Sequence, residues 1–320
     1  MFCDLSIVYQ PDAAVMAKML ARARAAGYDV VAIDHIVTER LTPKHVNPIP
    51  KLLEDISKLK LTGVNTSFTV SDPLSDILGG EREGEAIAST VGAGGIISRG
   101  WSGTGGLKVL SRLTLMLNDI TMGQCINSCP EATNQYDIVA VQPSNEATLN
   151  QAMSSLSIDL IAFDLTKAIP RAFKHQTVQP AKERGIYFEI PYAPAIHDQI
   201  SRRQLFFNGN NLIRALHGAN LILTSQASTA LDIRGPYDVA NLGSLFEINQ
   251  SMAKQMLTTG PLSLITRAET RKFTDKAIVA VAQDIGGINQ LCDPPVKSSS
   301  RSADGPPELA NPEKKPRHNP

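Results

Sequence analysis

Polar side chains that close apolar runs are the first candidates for chemistry in this sequence. Asp34 and His35 close one run, and Asp4 and Ser6 lie within the first run of the chain. The remaining members of the set are Asn118, Asp119, Gln142, Asp164, Glu189 and Ser225. Carboxylates and an imidazole around one rim can hold a hard metal ion for phosphoester hydrolysis. Metal-dependent hydrolysis is therefore one function that these residues suggest.

Basic residues beside predicted strand ends or helix starts form a second set. They are Arg112, Arg171, Lys174, Arg202, Arg203, Arg234, Arg267, Arg271 and Lys272. Arginine suits phosphate because its planar fork donates two parallel hydrogen bonds and stays charged. For each residue alone, a salt bridge is the alternative role, as Asp232 beside Arg234 suggests. Their shared placement at the ends of elements predicts RNA binding.

Two further pairs resemble metal or catalytic motifs but lack the rest of the motif. Cys125 and Cys129 lie one helical turn apart, but no second ligand pair follows, so reduced thiols are favoured over a zinc site. His197 and Asp198 are neighbours in a loop, which favours a solvated or capping role over base catalysis. We therefore assign no catalytic residue, no metal and no cofactor.

The apolar runs themselves have the composition of strands buried on both faces. Residues 29–34 (DVVAID), 137–142 (DIVAVQ) and 159–164 (DLIAFD) each have a polar start, a run rich in Val and Ile, and a polar end. Such runs are typical of a parallel sheet. Between them lie stretches with helical spacing, such as 12–26, which ends at the predicted cap Gly27.

The order of these elements predicts a closed α/β barrel of the TIM type. Strands are expected to start near residues 2, 29, 108, 136, 159, 185 and 219, with a weaker one at 262–265. They alternate with helices, and their number approaches eight. An open doubly wound sheet is the alternative, but no dinucleotide fingerprint follows the first strand.

Two segments are unsuited to a core. Residues 79–106 contain ten of the 22 glycines, and residues 293–320 are rich in Pro, Ser and Lys. We expect a single barrel over 1–275, interrupted by a flexible glycine-rich insertion at 79–106. A C-terminal extension at 276–292 and a disordered tail at 293–320 would follow.

The charge balance limits how the chain can bind nucleic acid. Its 31 basic residues are matched by 31 acidic ones, so any RNA contact must be a local patch. The N-terminus, MFCDLSIVYQ, begins with a strand-like run rather than a signal peptide, and no membrane association is expected.

One corner combines an arginine with a helix start. In 231–247 (LDIRGPYDVANLGSLFE), Arg234 and Gly235 form a turn and Pro236 fits the first helical position, where no N–H is needed. A basic strand-to-helix corner of this kind can hold a phosphate.

The first two predicted strands resemble the PHP superfamily of metal-dependent phosphoesterases. That family opens with D-L-H-x-H, whereas residues 4–8 read DLSIV, so both histidines are absent. Its second signature survives as Asp34 and His35. A hydroxyl and an isopropyl group cannot replace two imidazole ligands. The resemblance implies a PHP-like scaffold without its metal chemistry, with Asp4, Ser6, Asp34 and His35 as residual site positions.

Longer segments resemble a more specific family, the thirty-kilodalton protein subunit of nuclear ribonuclease P and the related RNA-processing complex MRP. The resemblance covers most of 1–275. The segments that carry it, in this order, are 27–37 (GYDVVAIDHIV), 108–117 (KVLSRLTLML), 136–143 (YDIVAVQP), 187–196 (YFEIPYAPAI), 231–243 (LDIRGPYDVANLG) and 269–272 (ETRK). It implies the same barrel-like architecture.

The family implies a noncatalytic subunit that braces the RNA of ribonuclease P, which removes the 5′ leader of precursor tRNA, and that also serves MRP in rRNA processing. The implied partners are ribonuclease P RNA, MRP RNA, a smaller protein subunit and other subunits of the particle, with precursor tRNA met indirectly. The implied location is the nucleus and nucleolus. A metal-dependent PHP-type phosphoesterase and a barrel that binds proteins but not RNA are the alternatives.

Overall fold

A computed structural model describes residues 1–58, 69–70, 107–167 and 175–273. They belong to one compact unit, Met1–Ile278. The predicted insertion at 79–106, the extension at 276–292, the tail at 293–320, and the candidate residues Arg171 and Lys174 lie outside the described residues.

Parallel strands form a nearly closed barrel. They are β1 (Cys3–Val8), β2 (Val30–Val37), β3 (Thr69–Val70), β4 (Lys108–Leu117), β5 (Ile138–Pro143), β6 (Leu160–Ile161), β7 (Tyr187–Pro191) and β8 (Leu221–Thr224). Around the ring the order is β1-β2-β4-β5-β6-β7-β8, and the short β3 pairs with the start of β4. The Val8 N–H donates to the Ala227 carbonyl at 2.9 Å, which links β1 to the segment after β8. The predicted TIM-barrel-like fold is confirmed.

Helices pack around this barrel and against one of its ends. They are α1 (Ala13–Ala26), α2 (Ile49–Lys58), α3 (Ile120–Ser128), α4 (Pro130–Thr133), α5 (Glu146–Ser154), α6 (His175–Glu183), α7 (Pro194–His197), α8 (Gln199–Leu216), α9 (Pro236–Leu242), α10 (Gln250–Leu257) and α11 (Thr259–Phe273). Gly27 ends α1 in the left-handed conformation, with φ of 99°, as its sequence predicted. No helix in the described part of the chain has the length and apolar character needed to cross a membrane.

Alternating strand side chains divide the core into two layers. On β2 and β5, Val31 and Val139 belong to the large cluster between sheet and helices. Their neighbours Val30 and Ile138 belong to a smaller cluster inside the barrel. Leu264, Ile265 and Ala268 of α11 also belong to the inner cluster, so α11 closes the barrel interior. Membership of the inner cluster therefore identifies the strand residues whose side chains face the barrel interior.

The weak strand predicted at 262–265 was wrong, because those residues lie within α11. Leu264, Ile265 and Ala268 are buried at positions i, i+1 and i+4, which form one face of a helix. A four-residue apolar run has the same composition in a buried strand and in such a face. Among the described residues, the ring therefore contains seven strands, and β3 pairs with the start of β4.

Candidate functional site

A charged cluster lies inside the barrel, beyond the inner apolar layer in the direction of the strand ends. Asp34 of β2, Arg112 of β4 and Glu189 of β7 are 1%, 1% and 3% exposed. The Arg112 guanidinium donates from Nη1 and Nη2 to Glu189 Oε1 and Oε2, at 2.9 and 2.5 Å. Its Nη2 also lies 3.4 Å from Asp34 Oδ2. Arg112 of β4 thus links β2, which precedes β4 in the chain, to β7, which follows it.

Hydroxyl groups complete the cluster. The hydroxyls of Thr114 and Ser6 donate to the two oxygens of Asp34, at 2.5 and 3.1 Å. Thr224 Oγ1 donates to Glu189 Oε1 at 2.5 Å. Arg112 also donates from Nε to Thr114 Oγ1 at 3.1 Å and from Nη1 to the Leu5 carbonyl at 2.9 Å. Every nitrogen of the guanidinium is therefore engaged within the barrel.

Burial and neighbouring charges shift the pKa values of the acids and of Arg112 in this region. Burial raises the pKa of Asp34, and the nearby Arg112 opposes that shift. Burial lowers the pKa of Arg112, but Asp34 and Glu189 raise it by more, so the guanidinium stays charged. Burial also raises the pKa of Asp4 on β1 to about 6, against hydrogen bonds from Ser225. Asp4 Oδ2 has no hydrogen-bond partner among the described residues.

The two halves of the Asp34–His35 motif lie on opposite faces of β2. The side chain of Asp34 faces the interior, whereas His35 Nδ1 lies 2.8 Å from the Tyr136 hydroxyl. That hydroxyl is also 2.9 Å from His45 Nε2. Adjacent strand residues point to opposite faces of a sheet, so one metal ion cannot bind both.

The residues that remain from the PHP-like pattern do not fit a divalent metal. Asp34 and Glu189 are already paired with the guanidinium of Arg112. Among the residues that the structure describes, no group of three or more His, Cys, Asp and Glu side chains is arranged to hold a metal ion. Two depressions among the described residues, one beside Asn118 and Asn145 and one beside Tyr187 and Met252, are open to solvent.

Four of the basic candidates are engaged by the barrel itself. Arg112 lies in its interior. The other three, on α11, bind at the amino-terminal ends of strands: Arg267 donates to the carbonyls of Arg184 and Ile158, Arg271 pairs with Asp159 at 3.0 Å, and Lys272 pairs with Asp137 at 3.0 Å. Their sequence positions beside strands reflect contacts with the barrel.

Three other basic candidates, Arg202, Arg203 and Arg234, lie in the segments that follow β7 and β8. The Arg234 N–H donates to the Tyr192 hydroxyl at 3.0 Å, and His197 Nε2 lies 2.9 Å from Asp232 Oδ1. These contacts join the corner before α9 to α7 and the start of α8. We call the resulting region the α8 surface, which comprises His197, Ile200, Arg202, Arg203, Leu231 and Arg234.

The acids near this surface do not neutralise its arginines. The alternative that Asp232 pairs with Arg234 is not found: the Asp232 carboxylate accepts from the N–H and hydroxyl of Thr229 at 3.0 and 2.9 Å, and lies 2.9 Å from His197 Nε2. Asp198 caps α8 by accepting from Ser201 N–H at 2.8 Å, as a capping role predicted. Loop geometry, rather than nearness in sequence, decides these pairings.

The arginines of the α8 surface are exposed. Arg202 donates to the carbonyls of Ala195 and Ile196, at 2.7 and 3.3 Å, which anchors it over α7. Within the described residues, neither Arg203 nor Arg234 has a carboxylate within ion-pair distance. Such side chains keep their donors available for an anionic partner.

Apolar side chains on this surface were missed in the sequence. Ile200 and Leu231 are 78% and 83% exposed. Phe207 is also exposed, seven residues after Ile200, and so lies on the same face of α8. For Ile200 and Phe207, the offset from the buried Leu205 and Leu212 was the available signal, because a helix in contact with the core on one side leaves such positions outside.

Comparison with known proteins relates the chain to one group of proteins. A family model described as RNase P subunit p30 matches residues 1–273. The chain is 32% identical to Ribonuclease P protein subunit p30 of Mus musculus over 271 residues, which is 85% of this chain and 87% of that protein. It is 29% identical to Ribonuclease P/MRP protein subunit RPP1 of Saccharomyces cerevisiae, over 64% of this chain and 67% of that one.

A solved structure shares the fold. A chain in the cryo-EM structure of archaeal Ribonuclease P with mature tRNA is matched with a TM-score of 0.57 at 10% sequence identity. The match covers 88% of this chain and 100% of that chain.

Proposed function

Because this chain belongs to the RNase P subunit p30 family, and is thereby a protein subunit of the RNA-based enzyme ribonuclease P, we propose that it is noncatalytic and braces the catalytic RNA. The family predicted from the sequence segments is confirmed, and neither alternative function is favoured. The observation that carries the proposal is the match over residues 1–273. A buried guanidinium between Asp34 and Glu189 supports the absence of catalysis by the protein itself.

The α8 surface is the proposed RNA contact. Its three exposed arginines lie in the segments that follow β7 and β8, two of them in α8 and one in the corner before α9, and have no carboxylate partners among the described residues, while the chain as a whole has no net charge. A local patch is what a neutral protein needs to bind phosphates. Fixed arginine donors lower the cost of bringing RNA phosphates close together, which is how a protein braces a folded RNA.

The proposed RNA contact does not include the other basic candidates. Arg112, Arg267, Arg271 and Lys272 are engaged by the barrel, so we do not include them in the contact. Arg171 and Lys174 lie outside the described residues and stay a prediction from sequence.

The finer partners and the location are also proposals. We propose binding to MRP RNA and to a smaller protein subunit, processing of precursor tRNA and rRNA, and residence in the nucleus and nucleolus. The name of the yeast relative, which includes both ribonuclease P and MRP, supports the second complex. Affinity isolation of the full chain from cells, followed by sequencing of bound RNA, tests this. Recovery of neither RNA would contradict it.

Charge reversal tests the α8 surface. We expect Arg203→Glu with Arg234→Glu to weaken assembly onto ribonuclease P RNA by about tenfold or more, because two phosphate contacts become repulsive. The magnesium concentration needed for pre-tRNA cleavage should rise. Arg214→Glu with Lys254→Glu is the matched control, because it reverses two exposed charges on α8 and α10 outside the surface. Equal assembly by the two double variants would reject this contact.

The absence of catalysis has its own test. The purified chain, given Mn²⁺ and a phosphoester, should show no turnover above background. Turnover that disappears in Asp34→Asn would show that the protein carries a hydrolytic site of its own.

A further inference from the structure

The exposed face of α8 alternates apolar and basic side chains. Ile200, Arg203 and Phe207 follow one another at spacings of three and four residues, which places them in one line along the helix. Ile200 is 78% exposed, Phe207 is 64% exposed, and Arg203 is exposed between them. Leu231, which is 83% exposed, and Arg234 repeat this combination in the segment after β8. Arg203 and Arg234 thus each have a large exposed apolar side chain three or four residues away.

The barrel uses neither the ring nor the guanidinium at the centre of this line. Phe206, the residue before Phe207, packs against Phe246 with ring centroids 4.9 Å apart. Phe207 makes no such ring contact with the described part of the chain, and Arg203 has no carboxylate there within ion-pair distance. Covering an exposed aromatic ring is favourable for any partner that offers it an apolar surface. The line is therefore suited to a partner that meets both groups together.

Such a partner must present negative charge and a flat apolar surface side by side. Double-stranded RNA presents phosphates, but the faces of its bases are stacked on one another and inaccessible. Unpaired RNA presents both, because its free bases stack on aromatic side chains while its phosphates bind basic ones. An acidic peptide with apolar residues is the other kind of partner that fits. Membership of a family of ribonuclease P subunits favours RNA.

We propose that the α8 surface holds an unpaired stretch of RNA, with one base stacked on the ring of Phe207 and an adjacent phosphate bound by Arg203. This inference rests on the RNA contact proposed above and specifies which form of RNA it takes. Ile200 and Leu231 cover apolar parts of neighbouring nucleotides. A contact made by arginines alone would bind paired and unpaired RNA through their phosphates, whereas this surface prefers a loop, a bulge or a single-stranded junction.

A tryptophan introduced at position 207 tests the stacking directly. Trp101 is the only tryptophan of the chain, so the full-length double variant Trp101→Phe, Phe207→Trp carries a single indole. A short oligoadenylate at low salt should quench its fluorescence, because a stacked base lies against the indole. An RNA duplex of the same length should leave the fluorescence nearly unchanged.

The matched control places the indole on another exposed apolar position. Ile120 is 49% exposed at the start of α3, outside the α8 surface. The double variant Trp101→Phe, Ile120→Trp should respond to neither RNA. Equal quenching of the two single-indole variants by oligoadenylate would overturn the proposal.

Affinities measured with labelled RNA separate stacking from charge. We expect Phe207→Ala to weaken binding of oligoadenylate by about tenfold and binding of the duplex by less than about twofold. Phe207→Tyr keeps an aromatic ring and should bind oligoadenylate nearly as tightly as the wild type. Arg203→Gln should weaken both RNAs by a similar factor, because phosphates are common to both.

The outcomes distinguish failure of the stacked base from failure of the RNA contact itself. If Arg203→Gln weakens both RNAs and Phe207→Ala weakens neither, the RNA contact stands and the stacked base is overturned. If neither variant changes binding of either RNA, both proposals fail at this surface. If the indole at position 207 responds to neither RNA but changes when an isolated protein subunit of the particle is added, this face binds protein and the proposal is overturned.

Discussion

Among single residues, Asp4 is a buried acid whose charged form is disfavoured by the fold. Its pKa is raised to about 6, mainly by burial, from about 3.9 in an unfolded chain. For an acid with a raised pKa, the folded state favours the protonated form. The contribution of the Asp4 carboxyl group to the free energy of unfolding is therefore complete below about pH 4 and is lost as the pH rises through about 6.

Asp4→Asn should thus stabilise the protein at pH 8 and change little at pH 4. We expect the free energy of unfolding to increase by about 1–3 kcal/mol at pH 8, as measured by urea denaturation. Asp119→Asn is the control, because Asp119 is exposed and makes no side-chain capping bond. A difference between wild type and Asp4→Asn that does not vary with pH would contradict the assigned burial effect.

Two neighbouring ion pairs on α11 differ in burial and should differ in strength. Arg271 pairs with Asp159, which is 0% exposed, and Lys272 pairs with Asp137, which is 32% exposed, both at 3.0 Å. Loss of one partner from a buried pair costs about 3–5 kcal/mol, whereas the contribution of a pair falls as it becomes more open to solvent, to about 0–1 kcal/mol for an exposed pair. Arg271→Ala should therefore destabilise the protein far more than Lys272→Ala in urea denaturation. The double variant Arg271→Ala, Asp159→Asn should recover part of the lost stability, because no uncompensated charge stays buried. Equal destabilisation by Arg271→Ala and Lys272→Ala would refute the expected difference between the two ion pairs.

The sequence was enough to predict which side chains could do chemistry, but not the direction in which each side chain points. Asp34 and His35 are adjacent, yet β2 turns one inward and the other toward Tyr136. Arg112 was selected for RNA binding as one of the basic residues beside predicted strand ends or helix starts, but its partner Glu189 is 77 residues away along the chain. Pairing between distant strands depends on barrel closure, which no local pattern reports.

Among the elements, helix α8 depends on a close contact at Gly209. A Cβ atom at this position would lie 2.7 Å from the Phe246 ring, which is buried in the turn after α9. Alanine would raise helix propensity by about 1 kcal/mol, but overpacking costs about 1–3 kcal/mol. Because the ring is held by the core, the clash should dominate.

We therefore expect Gly209→Ala to lower the free energy of unfolding by about 1–2 kcal/mol in urea denaturation. In a Phe246→Leu background, where the ring is absent, the same change should be neutral or stabilising. Destabilisation of equal size in both backgrounds would show that the ring contact is not the cause.

The elements were the most predictable part of the molecule where several local signals agreed. Pro236 begins α9 and Gly27 ends α1, because their backbone preferences match those positions. The run 159–164 predicted a strand, but only Leu160–Ile161 forms one. Run length was thus a weaker guide than the fixed dihedral preferences of Pro and Gly.

The whole molecule combines a neutral chain with a local basic surface. Its 31 basic and 31 acidic residues cancel, and several basic side chains are committed to the barrel through Asp137, Asp159 and Glu189. The fold class was predictable from the order of strands and helices. The α8 surface was not, because it depends on contacts between two loops that are separated by β8.

This distribution of charge predicts how RNA binding responds to salt. Each phosphate contact adds about 0.7–0.9 to the slope of log K against log salt concentration, because counterions are released. If the α8 surface supplies the contacts, Arg203→Gln with Arg234→Gln should reduce the slope for ribonuclease P RNA by about 1.5. Arg214→Gln with Lys254→Gln removes the same charge elsewhere and should leave the slope unchanged. Equal reductions in the two double variants would mean that overall charge, rather than this surface, governs binding.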